Sequence, residues 1–262
     1  PTPTPTLTPV PIARVRVQGR AQAWEPLLPP MKDITYPHPF TEAPVVVVNA
    51  GVDAKPKIAW AKDITKNNFN LAVIADDGTT VTSAMVRWVA VPGGVSKLDL
   101  GGGVAIQREH DSHNISDIVS FPWAFDSTPA VVNNAYSAAE PYIPYALNIT
   151  ASRFVAMFID DDGDSPHSAW LHTIAVGPGE PDPDLLIQAG RDQRIGDGDF
   201  IDFPQSFSEA PVVIINAATM DGVPAIASAV EQSSGGFFLS ILDHEGNPVD
   251  KAQVQWIAVG RE

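Results

Sequence analysis

The sequence predicts an all-β protein of three tandem six-stranded antiparallel β-sandwich domains, with a pseudo-threefold arrangement of the three. Three observations carry this. First, one segment is written three times. Pro44-Val-Val-Val-Val-Asn49-Ala50 returns as Pro129-Ala-Val-Val-Asn-Asn134-Ala135 and as Pro211-Val-Val-Ile-Ile-Asn216-Ala217, at offsets of 85 and 82 residues. Second, other landmarks keep those offsets to within a residue. Tyr36, Phe121 and Phe203 each precede a proline, Phe40, Phe125 and Phe207 stand four residues on, and Phe69, Phe154 and Phe237 follow. The glycines Gly78, Gly163 and Gly246 come next, and the copies close on Trp88-Val-Ala-Val91, Thr173-Ile-Ala-Val176 and Trp256-Ile-Ala-Val259. Third, apolar residues fall in short β-branched runs or alternate with period two, and nowhere recur at helical spacing over a dozen positions.

The third copy shows the order of elements. Asp184 to Gly190 starts as a strand, Asp199-Phe-Ile-Asp-Phe203 alternates until Pro204 breaks it, and Pro211 to Asn216 is an apolar run too short for a helix. Ile226 to Glu231 and Gly236 to Asp243 are further strands, a turn follows at Asp243 to Pro248, and Val254 to Val259 closes the unit. Trp88 and Trp256 are expected as core or interface anchors. Thr173 takes their place in the middle copy, which leaves a site to be filled from elsewhere, with Trp170 as the nearest supplier. The boundaries fall near Pro92-Gly-Gly94 and Gly177 to Pro183. The expected organisation is a Thr/Pro-rich tail over 1–11 and repeats over 12–94, 95–179 and 180–262. Units of about 80 residues are small for a lone core, so neighbouring units are expected to share buried surface.

Composition narrows the function. The net charge of −15 over 262 residues argues against nucleic acid, whose phosphates need a basic face. No apolar run approaches the length needed to span a bilayer, so no membrane insertion is expected. With no cysteine, disulfides, zinc-thiolate sites and thiol nucleophiles are excluded. The opening Pro1-Thr-Pro-Thr-Pro-Thr-Leu-Thr-Pro-Val-Pro11 favours an extended polyproline II conformation. It reads as a mature N-terminus or a linker left by cleavage, which favours an exported, extracellular or cell-surface protein. An extended segment from Leu7 to Val17 suits addition to the sheet edge of a neighbour, with Leu7, Val10 and Ile12 as its contact residues.

The order of motifs within a copy resembles the H-type lectin domain family. A strand ends in Gln-x-Gly, as in Ile187-Gln-Ala-Gly190, or in the shorter Gln-Gly of Val17-Gln-Gly19. An aromatic-x-x-x-Phe stretch leads into Pro-Val-Val, a strand of the kind Asn148-Ile-Thr-Ala-Ser-Arg-Phe154 follows, and the copy closes on Val254-Gln-Trp-Ile-Ala258. The resemblance implies six-stranded sandwiches that assemble as trimers and bind galactose or N-acetylgalactosamine between subunits. Three copies in one chain would mimic such a trimer. The family's sugar-binding arginine falls on Trp60, Tyr145 and Ser228, and its aromatic-polar pair falls on Asp76-Asp77, Asp161-Asp162 and His244-Glu245. No copy keeps the arginine or the aromatic. Trp60 and Tyr145 would supply a plate for the apolar sugar face, while Asp76, Asp161 and His244 would meet hydroxyls.

Catalytic chemistry finds little to stand on, and the expectation is a non-enzyme with no cofactor and no metal. The acidic turns at Asp76-Asp-Gly78, Asp160 to Asp164 and Asp243 to Gly246 read as hairpins, since acids do not alternate before the glycine as a calcium loop requires. Glu109-His110-Asp-Ser-His113 reads as a solvated loop. Gly163-Asp-Ser165 lies in the shared hairpin and lacks the strand-to-helix context of a serine nucleophile. Asn114-Ile-Ser116 and Asn148-Ile-Thr150 match the N-glycan acceptor pattern, with Asn148 on a presumed strand. Trp24, Trp60, Trp123, Tyr136, Tyr142 and Tyr145 differ between copies and are the aromatics to examine for surface contact. Two functions follow. One is an adhesion or carbohydrate-binding module whose partner is a glycan or cell-surface polysaccharide. The other is a structural subunit of a filament, appendage or virion fibre that self-associates through its tail.

Overall fold

The computed structural model describes residues 17–24, 31–51, 57–75, 78–79, 81, 84–93, 97–99, 105–137, 140–177 and 187–260. Among these the chain is all β, with no helix and with antiparallel pairing throughout. The tail residues Leu7, Val10 and Ile12, and also Asp76, lie outside the described residues.

The strands fall into three groups along the chain. The first holds β1 (Gln18–Trp24), β2 (Met31–Thr35), β3 (Val45–Ala50), β4 (Lys57–Lys62), β5 (Asn68–Ala75) and β6 (Ala84–Val91). They form two three-stranded sheets, ordered β1-β6-β3 and β2-β5-β4. After the short β7 (Lys97–Asp99) comes the middle group: β8 (Ala105–Asn114), β9 (Ile118–Ser120), β10 (Ala130–Tyr136), β11 (Pro141–Leu147), β12 (Arg153–Ile159) and β13 (Ser168–Val176). The third holds β14 (Ile187–Ile195), β15 (Phe200–Asp202), β16 (Val212–Thr219), β17 (Pro224–Val230), β18 (Gly236–Leu242) and β19 (Ala252–Val259). The middle and third groups each form one continuous sheet, β7-β8-β13-β10-β11-β12-β9 and β14-β19-β16-β17-β18-β15, curled into a half-barrel.

The curl comes from one local feature. β10 pairs with β11 only at Ala135↔Tyr142 and Tyr136↔Pro141, and β16 pairs with β17 only at Ala217↔Ala225 and Ala218↔Pro224. Beyond those residues the two strands splay apart, so each sheet folds over on itself around an apolar filling. Each splay also leaves backbone N–H and C=O groups facing away from their own sheet, and buried groups of this kind need partners.

Every group has its own aromatic core. In the first, Tyr36, Phe40, Phe69 and Trp88 meet with ring centroids 4.9 to 5.8 Å apart. In the third, Phe203, Phe207, Phe237 and Trp256 repeat the arrangement. The middle group keeps Phe121, Phe125 and Phe154 but not the indole. Trp170 does not fill that place, as the sequence suggested it would. Side chains alternate across a strand, so three residues before Thr173 is the opposite face, and Trp170 is 45% exposed. The extra ring volume of this core comes instead from Tyr142 stacked on Phe158 at 5.9 Å.

The missing indole changes the chemistry of a cross-strand pair. Val48↔Trp88 and Ile215↔Trp256 become Asn133↔Thr173, in which the Thr173 hydroxyl donates to Asn133 Oδ1 at 2.9 Å. Both residues are buried, and Asn133 Nδ2 has no partner. Thr173→Val alone is expected to cost about 1–3 kcal/mol, since it strips the Asn133 oxygen of its donor. Adding Asn133→Val removes the stranded amide altogether and should bring stability back to the starting value or above it, as read by urea unfolding.

The β4–β5 turn and its equivalents share another device. Asp63, Asn148 and Glu231 all adopt positive φ, at 51°, 49° and 46°. The hydroxyls of Thr65, Thr150 and Ser233 then accept the backbone N–H groups that follow each turn. Asn148 is therefore an exposed turn residue rather than a strand residue, because the chain must reverse there. Left-handed backbone suits Asn or Gly and strains a longer side chain. Glu231→Asn is expected to raise the unfolding free energy by about 1 kcal/mol, measured against the unchanged Asn148.

Candidate functional site: the seams between strand groups

The splayed edges are filled from the neighbouring group. Asn49 in the first group grips the third, with Oδ1 accepting from Ile215 N at 2.5 Å and Nδ2 donating to Ile215 O at 3.1 Å. Asn216 in the third group accepts from Asn133 N of the middle group. Gln255, also in the third group, reaches into the middle splay, where Oε1 accepts from Val131 N at 2.8 Å and Nε2 donates to Ala146 O at 3.0 Å. Asn134 in the middle group accepts from Ala61 N at 3.2 Å and donates to Ala59 O of the first at 2.9 Å. His172 Nδ1 stands 3.2 Å from Val46 O. The direction is constant: first onto third, third onto middle, middle onto first.

Apolar residues of all three groups meet on either side of these clamps. Val47, Val132 and Ile214, together with Val89, Ile174 and Ile257, form one shared cluster, while Ile58, Ile143 and Ile226 form the other. Between them lies a chamber of about 40 Å³, lined among others by Asn49, Asn134, Asn216 and the three isoleucines of the second cluster. That is far smaller than the several hundred Å³ of a typical ligand pocket, so it does not hold a saccharide.

Trp60 is 8% exposed, Tyr145 3% and Ser228 0%. Trp60 stands on β4 between the two alanines gripped by Asn134, in the seam of the first and middle groups. Tyr145 lies in the seam of the middle and third groups. Burial pushes its phenol above the ordinary range, offset in part by the Gln255 side chain and Arg191. The two proposed sugar plates are thus in different seams, and neither presents a ring face to solvent.

Asp161 and His244 each rest on a glycine of the preceding group's turn. A Cβ on Gly78 would come within 2.6 Å of Asp161 Oδ2, and one on Gly163 within 2.6 Å of the His244 ring. Two further turn acids cap backbone. Asp160 Oδ1 accepts from Asp164 N, and Asp243 Oδ1 accepts from the N–H groups of Glu245 and Asn247. Glu109 to His113, expected as a loop, belong to β8, because they pair residue for residue with Thr173 to Ala169 of β13. Gln188 of the Gln-x-Gly motif is a brace, and so is Gln107, which holds the same place on β8 without the glycine. Gln107 and Gln188 each bond both backbone groups of a residue just after the Phe-Pro step, Trp123 and Gln205.

Of the aromatics singled out from sequence, Trp123 is 58% exposed, Tyr142 is buried and Tyr136 is partly buried. The side chain of Trp24 lies outside the described residues. Sequence reasoning passed over Asn49, Asn134, Asn216, His172 and Gln255 as functional groups. The signal for the asparagines was present: a polar residue kept in all three copies within an otherwise apolar strand. Comparison with protein-family models, with curated proteins and with solved structures returns no match for this chain.

Proposed function

We propose that this chain is a non-catalytic extracellular adhesion or carbohydrate-binding module, made of three H-type-lectin-like repeats over 12–94, 95–179 and 180–262 behind a Thr/Pro-rich tail. One observation carries the reading. The side-chain clamps run in one rotational direction through all three strand groups, as subunit seams do in a cyclic trimer. A trimeric lectin made continuous in one chain would need this set of contacts. The net charge of −15 suits a secreted module that stays soluble and takes neutral ligands.

The burial of Trp60, Tyr145 and Ser228 favours a second reading, a structural subunit of a filament, appendage or virion fibre. In it the inherited binding positions have become packing, and the tail joins one subunit to the next. A glycan array run beside negative-stain microscopy separates the two. Glycan binding by a dispersed monomer supports the module. Fibres with an empty array support the subunit and overturn the module.

A further inference from the structure

The three seams are not alike at their outer rim, and one has the surface of a binding site. Tyr136 and Trp170 are direct cross-strand partners at the end of β10 and β13, on the seam-facing side with Asn134 and His172. The matching pair in the first group is Gly51 with Met85, and in the third Ala218 with Gln253. Among these equivalent positions the middle group alone carries two aromatic rings. Trp170 is 45% exposed, and across the seam the exposed Asp63 follows the β4 residues that Asn134 grips. Its charge is felt by Tyr136, whose phenol is pushed up first by burial and then by Asp63.

The proton positions follow from the partners. Val46 O only accepts, so His172 carries its hydrogen on Nδ1. Nε2 is then an acceptor, and the Tyr136 hydroxyl, 3.3 Å away, donates to it. The phenol oxygen keeps its lone pairs for an incoming hydroxyl. Asp63, though it accepts from Asn70 Nδ2 at 3.0 Å, has a second oxygen available to accept. The rim thus offers an indole surface flanked by two hydrogen-bond acceptors. That combination takes a ring with one apolar face and donor hydroxyls at its edge, and repels anions.

We propose that the rim formed by Trp170, Tyr136 and Asp63, where the middle strand group meets the first, binds a neutral pyranose, with its apolar face on Trp170 and its hydroxyls donating to Asp63 and Tyr136. This deepens the binding-module reading and rests on it. The test uses the full chain against methyl pyranosides of galactose, glucose, mannose and N-acetylgalactosamine, preceded by an array of neutral and sialylated glycans. Trp170→Ala should weaken binding by about tenfold or more. Tyr136→Phe should weaken it less, and Trp123→Ala, an exposed indole elsewhere, should leave it unchanged. In ¹H–¹⁵N spectra the indole resonance missing from Trp170→Ala should shift on titration. A chain that binds sugar equally well with Trp170→Ala and shows no shift of that resonance overturns this site and spares the module. A wild-type chain that binds no glycan overturns both. Binding restricted to sialylated glycans would contradict the acceptor-rich rim.

Discussion

Gln255→Ala should lower the unfolding free energy by about 2–5 kcal/mol, although it removes no part of any apolar core. The amide bridges Val131 N and Ala146 O, both fully buried where β10 and β11 part. Truncation leaves two backbone groups in the interior with nothing to bond, at about 1–3 kcal/mol each. Gln255→Met, which keeps the length but not the hydrogen bonds, should cost nearly as much. Gln255→Glu should be worse than Met, since it buries a charge and removes the donor to Ala146 O. Urea unfolding of the three variants reads this out. A cost below about 0.5 kcal/mol for all three would mean that the middle splay is satisfied without the third group.

The second large effect belongs to Trp256. Its ring is 2% exposed, packs at 5.7 and 5.9 Å from Phe203 and Phe237, and donates from Nε1 to Asp192 Oδ2 at 3.1 Å. It also fills the space over Gly190, where any Cβ would collide with the indole. Trp256→Ala is expected to cost about 3–5 kcal/mol, from lost burial and the cavity left behind. Trp256→Thr copies the residue that the middle group uses and should be almost as damaging. The third group has Ala225 and Ile241 where the middle group has the Tyr142–Phe158 stack, so nothing in it takes up the space. Thermal unfolding should show the loss. A Trp256→Thr protein as stable as wild type would mean that the indole volume is readily filled by relaxation.

Most of the strand order was readable from the chain because it depends on local pattern. The thrice-repeated run ending at Asn49, Asn134 and Asn216 marks the same strand each time, and the aromatic landmarks do occupy cores. What was not readable depends on which residues meet across groups. Trp60 and Tyr145 differ between the copies, which suits an inter-repeat contact as well as a sugar plate, and nothing local says which neighbouring strand covers them. Asn148 was placed on a presumed strand as the start of the Asn148 to Phe154 segment, yet the hydroxyl of Thr150 closes a turn there. The clamps were hidden for a related reason. Gln255 and His172 share a position in the repeat but no chemistry, so the repeat masks their common role of meeting backbone of a neighbouring group, and the third copy of that position is Arg87.

That position also shows what a single polypeptide permits. In an assembly of identical chains any substitution is made at every interface simultaneously, and a costly one is multiplied. Here the position holds an amide, an imidazole and a guanidinium, and Arg87 is the one with a buried Nε lacking a partner. Each junction carries its own residue and its own penalty. One junction is therefore free to trade tightness for recognition while the other two keep the ring closed.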